Sequence, residues 1–168
     1  MTDTGPERME AFQARGVAQG KAFDEQCRLV LQGLGFWVND RPFKVTEVGI
    51  EIDAEIKARS GRPYWCEFKG SWHGSRPGSR RTDTVKKALA DALLLHVAPV
   101  DYPPVLLITS HLPIEGRSGA QMIRTALESG ALKDVICLNE PRDMERLRRL
   151  AADGPERALE GQEKLFEG

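Results

Sequence analysis

The chain of 168 residues is short of several things, and each shortage closes a class of function. Its three cysteines, Cys27, Cys66 and Cys137, are odd in number and contain no Cys-x-x-Cys pair. That excludes a disulfide framework and a cysteine zinc site, and three free thiols in a reducing cytoplasm are expected. Histidine is equally scarce: His73, His96 and His111 have no ligand spacing and no His-Glu-x-x-His motif joins them. There is no Gly-x-Ser-x-Gly elbow, no phosphate-binding Gly-x4-Gly-Lys-Ser/Thr loop and no Gly-x-Gly-x-x-Gly, which removes serine hydrolase, P-loop and dinucleotide-binding readings. The longest apolar run, ALADALLLHVAPV, is broken by Asp91 and His96 and falls short of the ~18 residues that span a bilayer. No basic-then-apolar signal opens the chain, so a cytoplasmic protein away from membranes is expected. Excess charge is missing too. With a formal net charge of -1, any nucleic acid would have to be held by a local basic patch.

What is present reads as one globular domain over residues 1–154 with a polar tail at 155–168. Pro6 leads into a weak helix, ERMEAFQARGVAQG, that Gly16 and Gly20 loosen. In KAFDEQCRLVLQGLGFWV the residues Phe23, Cys27, Val30, Leu31 and Leu34 recur at helical spacing and Gly35 supplies a stop. From Val48 to Lys57 the period changes to two, predicting one half-buried strand. After a turn at Ser60–Arg62, Tyr64, Cys66 and Phe68 alternate with Trp65, Glu67 and Lys69, which predicts a hairpin. GSWHGSRPGSRRT reads as a loop, with Thr82 or Asp83 capping the next helix. PVLLITS and DVICL are short apolar strands separated by a helix from a Ser118 cap to Gly130, and a last helix begins near Pro141. The class is α/β: a central mixed β-sheet flanked by helices, an αβββαβ core with a C-terminal αβ extension.

The hairpin contains Glu-x-Lys twice, at Glu55-Ile56-Lys57 and Glu67-Phe68-Lys69, a tripeptide that so charged a chain produces by chance. Side chains alternate along a strand, so Glu67 and Lys69 share a face while Cys66 and Phe68 point into apolar packing. With a three-residue loop at Ser60–Arg62, Asp53 falls opposite Lys69 and Glu55 opposite Glu67; a two-residue loop would put Phe68 opposite Asp53. Burial of Phe68 and Cys66 favours the first, which gathers Asp53, Glu55, Glu67 and Lys69 on one face. Crowded carboxylates repel unless a cation neutralises them, and oxygen ligands suit Mg²⁺. The ordinary alternative is a solvated ion pair on an exposed strand. For the first tripeptide the preceding aspartate would be Asp40, in a turn before Arg41-Pro42, so it is set aside, with Glu55 kept as an auxiliary ligand.

The helix FDEQCRLVLQGLGF, the strand with GIEID, then CEFK and a basic helix stand in the order found in the PD-(D/E)xK nuclease superfamily, which this sequence resembles over roughly residues 20–110. The resemblance implies the restriction-endonuclease-like or Holliday-junction-resolvase-like fold and hydrolysis of phosphodiester bonds with Mg²⁺, for which Mn²⁺ can substitute. It puts Asp53, Glu67 and Phe68 on the metal. It gives Lys69 the attacking water, and it makes Asp24 or the adjacent Glu25 an assisting acid on the first helix. The proline of the motif name is absent, since Ile52 precedes Asp53.

A nuclease needs phosphate contacts beside its acids, and GSRPGSRRTDTVKK supplies Arg76, Arg80, Arg81, Lys86 and Lys87 directly after Lys69. Trp65 and Trp72 are candidates for base stacking or for ordinary packing, and Arg146, Arg148 and Arg149 read as the outer face of the last helix. The expected function is a metal-dependent nuclease, an endonuclease on DNA, with RNA left open and with a homodimer or a partner subunit as the source of specificity. The alternative is a nuclease-like binding or scaffold subunit without cleavage.

Overall fold

Helix α1 occupies residues 21–33 and buries Phe23, Cys27 and Leu31, the stripe its spacing predicts, before Gly35 ends it at φ +96°. The computed structural model describes residues 21–71 and 78–153. The expected helix before residue 21, Trp72, His73 and Arg76 in the loop, and the C-terminal tail lie outside the described residues.

Seven strands follow among the described residues: β1 (Trp37–Val38), β2 (Phe43–Val45), β3 (Ile50–Ile52), β4 (Ala54–Lys57), β5 (Pro63–Lys69), β6 (Val105–Thr109) and β7 (Asp134–Cys137). Three helices join or follow them, α2 (Thr82–Val97), α3 (Ser118–Glu128) and α4 (Pro141–Asp153). The main sheet has the order β1-β4-β5-β6-β7, antiparallel as far as β5 and parallel from β5 to β7. The helices α2 and α3 make the two crossovers that parallel pairing demands. This is the expected α/β architecture with a mixed central sheet.

Alternation along β5 and β6 divides the core between the two faces. Cys66, Phe68, Leu106 and Ile108 pack against Phe23, Cys27 and Leu31 of α1 and Leu147 and Leu150 of α4. On the opposite face Trp65, Val105 and Leu107 meet Val85, Ala88, Ala92 and Leu95 of α2 and Ile123 of α3. Glu67 and Lys69 therefore belong to the face that α2 covers. Among the described residues no helix is long and apolar enough to cross a membrane.

Four expectations change. The single strand from Val48 to Lys57 is two, because the chain bends at Asp53, and β3 leaves the main sheet to pair with β2. The polar group responsible is Asp53 itself: its carboxylate accepts the Phe68 N–H at 2.7 Å and its carbonyl accepts from the Arg28 guanidinium, so it leaves the regular ladder. The hairpin turn has three residues, but they are Arg59–Gly61, closed by Ala58 N–H donating to Arg62 O at 3.0 Å. Gly61 stands at φ +82°, and a left-handed last position needs that glycine, which moves the turn one residue earlier than Ser60–Arg62. Helix α2 follows a short 3-10 turn (Gly78–Arg80), and its N-cap is Arg81 without a side-chain cap, not Thr82 or Asp83; likewise the N-cap of α3 is Arg117, not Ser118. Finally, Arg146 is not on an outer face. It donates to both carboxylate oxygens of Asp134 at 3.1 Å and to Asp143 at 2.7 Å, clamping α4 to β7, while Arg148 and Arg149 do stay outside and pair with Glu145.

Candidate active site

The β4–β5 register pairs Ala54 with Cys66 and Glu55 with Trp65. Extended by one residue, it sets Asp53 across from Glu67, not Lys69, and leaves Glu55 opposite Trp65, not Glu67. The shift is two residues, so the parity survives and the acids still share a face.

At the C-terminal end of β5 the Lys69 ammonium donates to Glu67 Oε2 at 2.6 Å and to Asp53 Oδ2 at 3.2 Å. The Glu67 side chain is only 2 % exposed and that of Lys69 13 %, so the pair lies beneath α2 and not on a solvated strand. Among the described residues Glu67 Oε1 is fully buried and has no hydrogen-bond partner, a costly state for a carboxylate oxygen. Burial, opposed by Lys69 and reinforced by Asp53, pushes the Glu67 carboxyl up to about 7. Burial alone would lower the Lys69 ammonium, but Glu67 and Asp53 outweigh it and the net shift is upward. The charged pair is therefore the state above neutrality.

Helix α1 brings Asp24 to the same place. It is half-buried, and burial together with the nearby Asp53 raises its carboxyl to about 6 against the pull of Lys69 and Arg28. Glu25, one residue further around the helix, is exposed. Gly70 explains how α1 comes so close: a Cβ there would lie 2.3 Å from the Phe23 ring, so the ring rests directly on the backbone just past Lys69. Arg28, one turn beyond Asp24, donates to Asn39 and to the Asp53 carbonyl and lies 5.8 Å over the Phe68 ring, fixing the bend that aims Asp53.

Of the basic residues, Arg80 and Arg81 are exposed on the segment that leads into α2, and Lys86 and Lys87 are exposed on α2 itself. That segment is pinned to the end of β6: Ser79 N–H donates to His111 O at 3.0 Å, and Thr109 Oγ1, which accepts from the Ser79 hydroxyl at 3.0 Å, donates to Lys69 O at 2.7 Å. Gly78, at φ +57°, touches this cluster so closely that a Cβ would meet Ser110 Oγ at 2.7 Å. Trp65 is buried between Phe43 and Tyr102 with its indole N–H on Glu55 Oε2 at 3.0 Å, which rules out base stacking by Trp65 and occupies Glu55. The three thiols are free and buried, and burial raises the pKa of each.

Comparison with protein-family models, with curated proteins and with solved structures finds no match for this chain. The residues themselves must carry any reading. Among the described residues no three His, Cys, Asp or Glu side chains are grouped to hold a metal. Asp53 and Glu67 nevertheless form a hard oxygen donor set, and the unpartnered Glu67 Oε1 is the group a cation would satisfy.

One acid escapes sequence reasoning. Asp91 interrupts the apolar run of α2, and helical spacing puts it beside the buried Ala88, Ala92 and Leu95 on the face toward β5. There it interacts electrostatically with Lys69, Lys87 and Asp53, and Glu67 feels its charge in turn. Its place at the period of the buried face was the available signal.

Proposed function

We propose that the chain is a divalent-metal-dependent nuclease of the PD-(D/E)xK, restriction-endonuclease-like type that hydrolyses phosphodiester bonds, with DNA as substrate. The observation that carries this reading is a buried Glu67 with one unpartnered oxygen, meeting Asp53 and Lys69 at the end of a central strand. Asp53, Glu67 and the Phe68 main chain would hold Mg²⁺ or Mn²⁺. When bound, the cation would polarise a phosphoryl oxygen and acidify a water.

The chain's own groups supply the rest. Lys69 directs its N–H groups at a water and stabilises the anion formed as its proton leaves. Asp24, with its raised proton affinity, can hold a proton near neutrality at the rim of the same centre. Arg28 and Gly70 keep the bend and α1 in register with the acids. Arg80, Arg81, Lys86 and Lys87 are the exposed cations that would engage phosphates, and the Ser79–Thr109 latch gives the first two a fixed origin next to Lys69.

The test is incubation of supercoiled plasmid, single-stranded DNA and RNA with the protein, Asp53→Ala and Lys69→Ala, in Mg²⁺ and in Ca²⁺. Cleavage of DNA in Mg²⁺ that both substitutions abolish is the expected result. Tight binding with no cleavage in any metal would instead identify a nuclease-like binding subunit, and activity that survives Lys69→Ala would overturn the mechanism.

A further inference from the structure

Among the described residues eight large apolar side chains are exposed, and four of them crowd together at Leu93, Leu94, Val97 and Val100, with Leu94 45 % and Val97 66 % accessible. The other four, Leu29, Trp37, Leu112 and Ile114, are scattered over other segments. On α2 the exposed residues Lys86, Ala90, Leu93, Leu94 and Val97 recur at helical spacing, opposite the stripe of Val85, Ala88, Ala92 and Leu95 that packs on the sheet. The helix is thus apolar on two sides. The inner stripe already serves the core, so the outer one is removed from water only by a partner.

The same surface carries a recess. Between α2 and α3 lies a groove of about 400 Å³, lined by Leu89 and Leu93 on one side and Met122 and Ala126 on the other. Knob and hollow stand side by side, as an isologous twofold contact requires, since each copy must offer both. Charge sets the direction. Lys86 stands at the start of the stripe and Asp101 just past its end, and both are exposed. Two copies running antiparallel and centred between Leu93 and Leu94 bring Ala90 against Val97 and Lys86 toward Asp101 at both rims, whereas parallel copies set Lys86 beside Lys86.

We propose that the outer face of α2, with the adjoining α2–α3 groove, is the surface through which two copies of this chain associate as an antiparallel, twofold-symmetric dimer. The partner's Val97 crosses Ala90 beside the groove, and Leu93 and Leu94 meet at the axis. Lys87, one turn before Asp91 and in electrostatic contact with it, lies on the flank toward β5 and takes no part. An exposed rim pair leaves donors of the Lys86 ammonium in water, where a phosphate still reaches them. Such a dimer is independent of what the centre at Lys69 hydrolyses.

The test is sedimentation equilibrium of the full chain across micromolar concentrations, with thermal unfolding followed by circular dichroism at dilution. The parent should dimerise. Leu94→Glu should weaken association roughly a hundredfold, because two leucines per dimer lose their apolar contact, and should leave the unfolding midpoint of the dilute monomer unchanged, because the side chain is exposed there. Lys86→Glu and Asp101→Lys should each weaken association roughly tenfold, and the two together should restore it to within about threefold, a rescue that only antiparallel pairing gives. A monomeric parent, or a dimer indifferent to Leu94→Glu, would overturn the proposal and leave the face to another occupant, a different protein or residues of this chain outside those described. A dimer that Leu94→Glu weakens but the charge exchange does not rescue would overturn the antiparallel pairing.

Discussion

The same tripeptide occurs on two neighbouring strands and has two fates. Glu55 and Lys57 sit on β4, toward the sheet edge: Lys57 Nζ lies 3.4 Å from Glu55 Oε1 and 4.7 Å over the exposed Trp37 ring, and the other Glu55 oxygen accepts from Trp65. Each polar atom named has a partner or solvent. Glu67 and Lys69 end the central strand β5, covered by α2, and one glutamate oxygen is left with neither among the described residues. Sequence is identical in type; depth in the sheet and the element above decide whether Glu-x-Lys is a surface pair or a buried centre whose carboxyl holds its proton more tightly.

The largest effect that separates the two pairs is on hydrolysis. Glu67→Gln should cut the rate of Mg²⁺-dependent plasmid cleavage by at least ~10²–10³, the scale of losing a group that stabilises developing charge, while Glu55→Gln leaves it unchanged. Equal losses would erase the distinction. A second experiment makes the surroundings of the pairs alike: Lys57 is followed by Ala58, Lys69 by Gly70. Gly70→Ala drives a methyl into the Phe23 ring and should cost about 1–3 kcal/mol in urea unfolding.

Smaller again is the pH dependence. Glu67 and Asp24 bind protons more tightly folded than unfolded, with raised values of about 7 and about 6. The folded state then carries the extra protons between their ordinary values and these, so stability in metal-free buffer is greatest on the acid side and falls as pH rises toward 7. Glu67→Gln should flatten much of that slope in urea midpoints measured from pH 4.5 to 7.5. The smallest change is expected from Lys57→Ala, under about 1 kcal/mol in the same assay, because an exposed pair and an exposed cation–π contact are all it removes.

Periodicity made the helices α1 to α4 and strands β5 to β7 legible, because each buries a stripe or face long enough to repeat. The short strands β1 and β2 were not legible: two or three residues carry no period, and their pairing is set by partners elsewhere in the chain. The clustering of Asp53, Glu67 and Lys69 followed from the need to bury Cys66 and Phe68, which fixes parity but not register. The register required knowing which residue of the turn takes the left-handed conformation, and Gly61 alone identifies it. Asp91 and Arg28 escaped because helices with no sequence proximity to the hairpin deliver them. Arg146 was misjudged for the same reason, its acidic partner Asp134 lying on a different element.

Gly70 has a wider consequence. The spacing between the first helix and the acidic centre is set by a carbon that is missing, so the reach of Asp24 is tuned at a position with no side chain at all. A variant chain could keep every charged group named above and still lose their alignment through one added methyl, and a search for lesions confined to ionisable residues would pass over it.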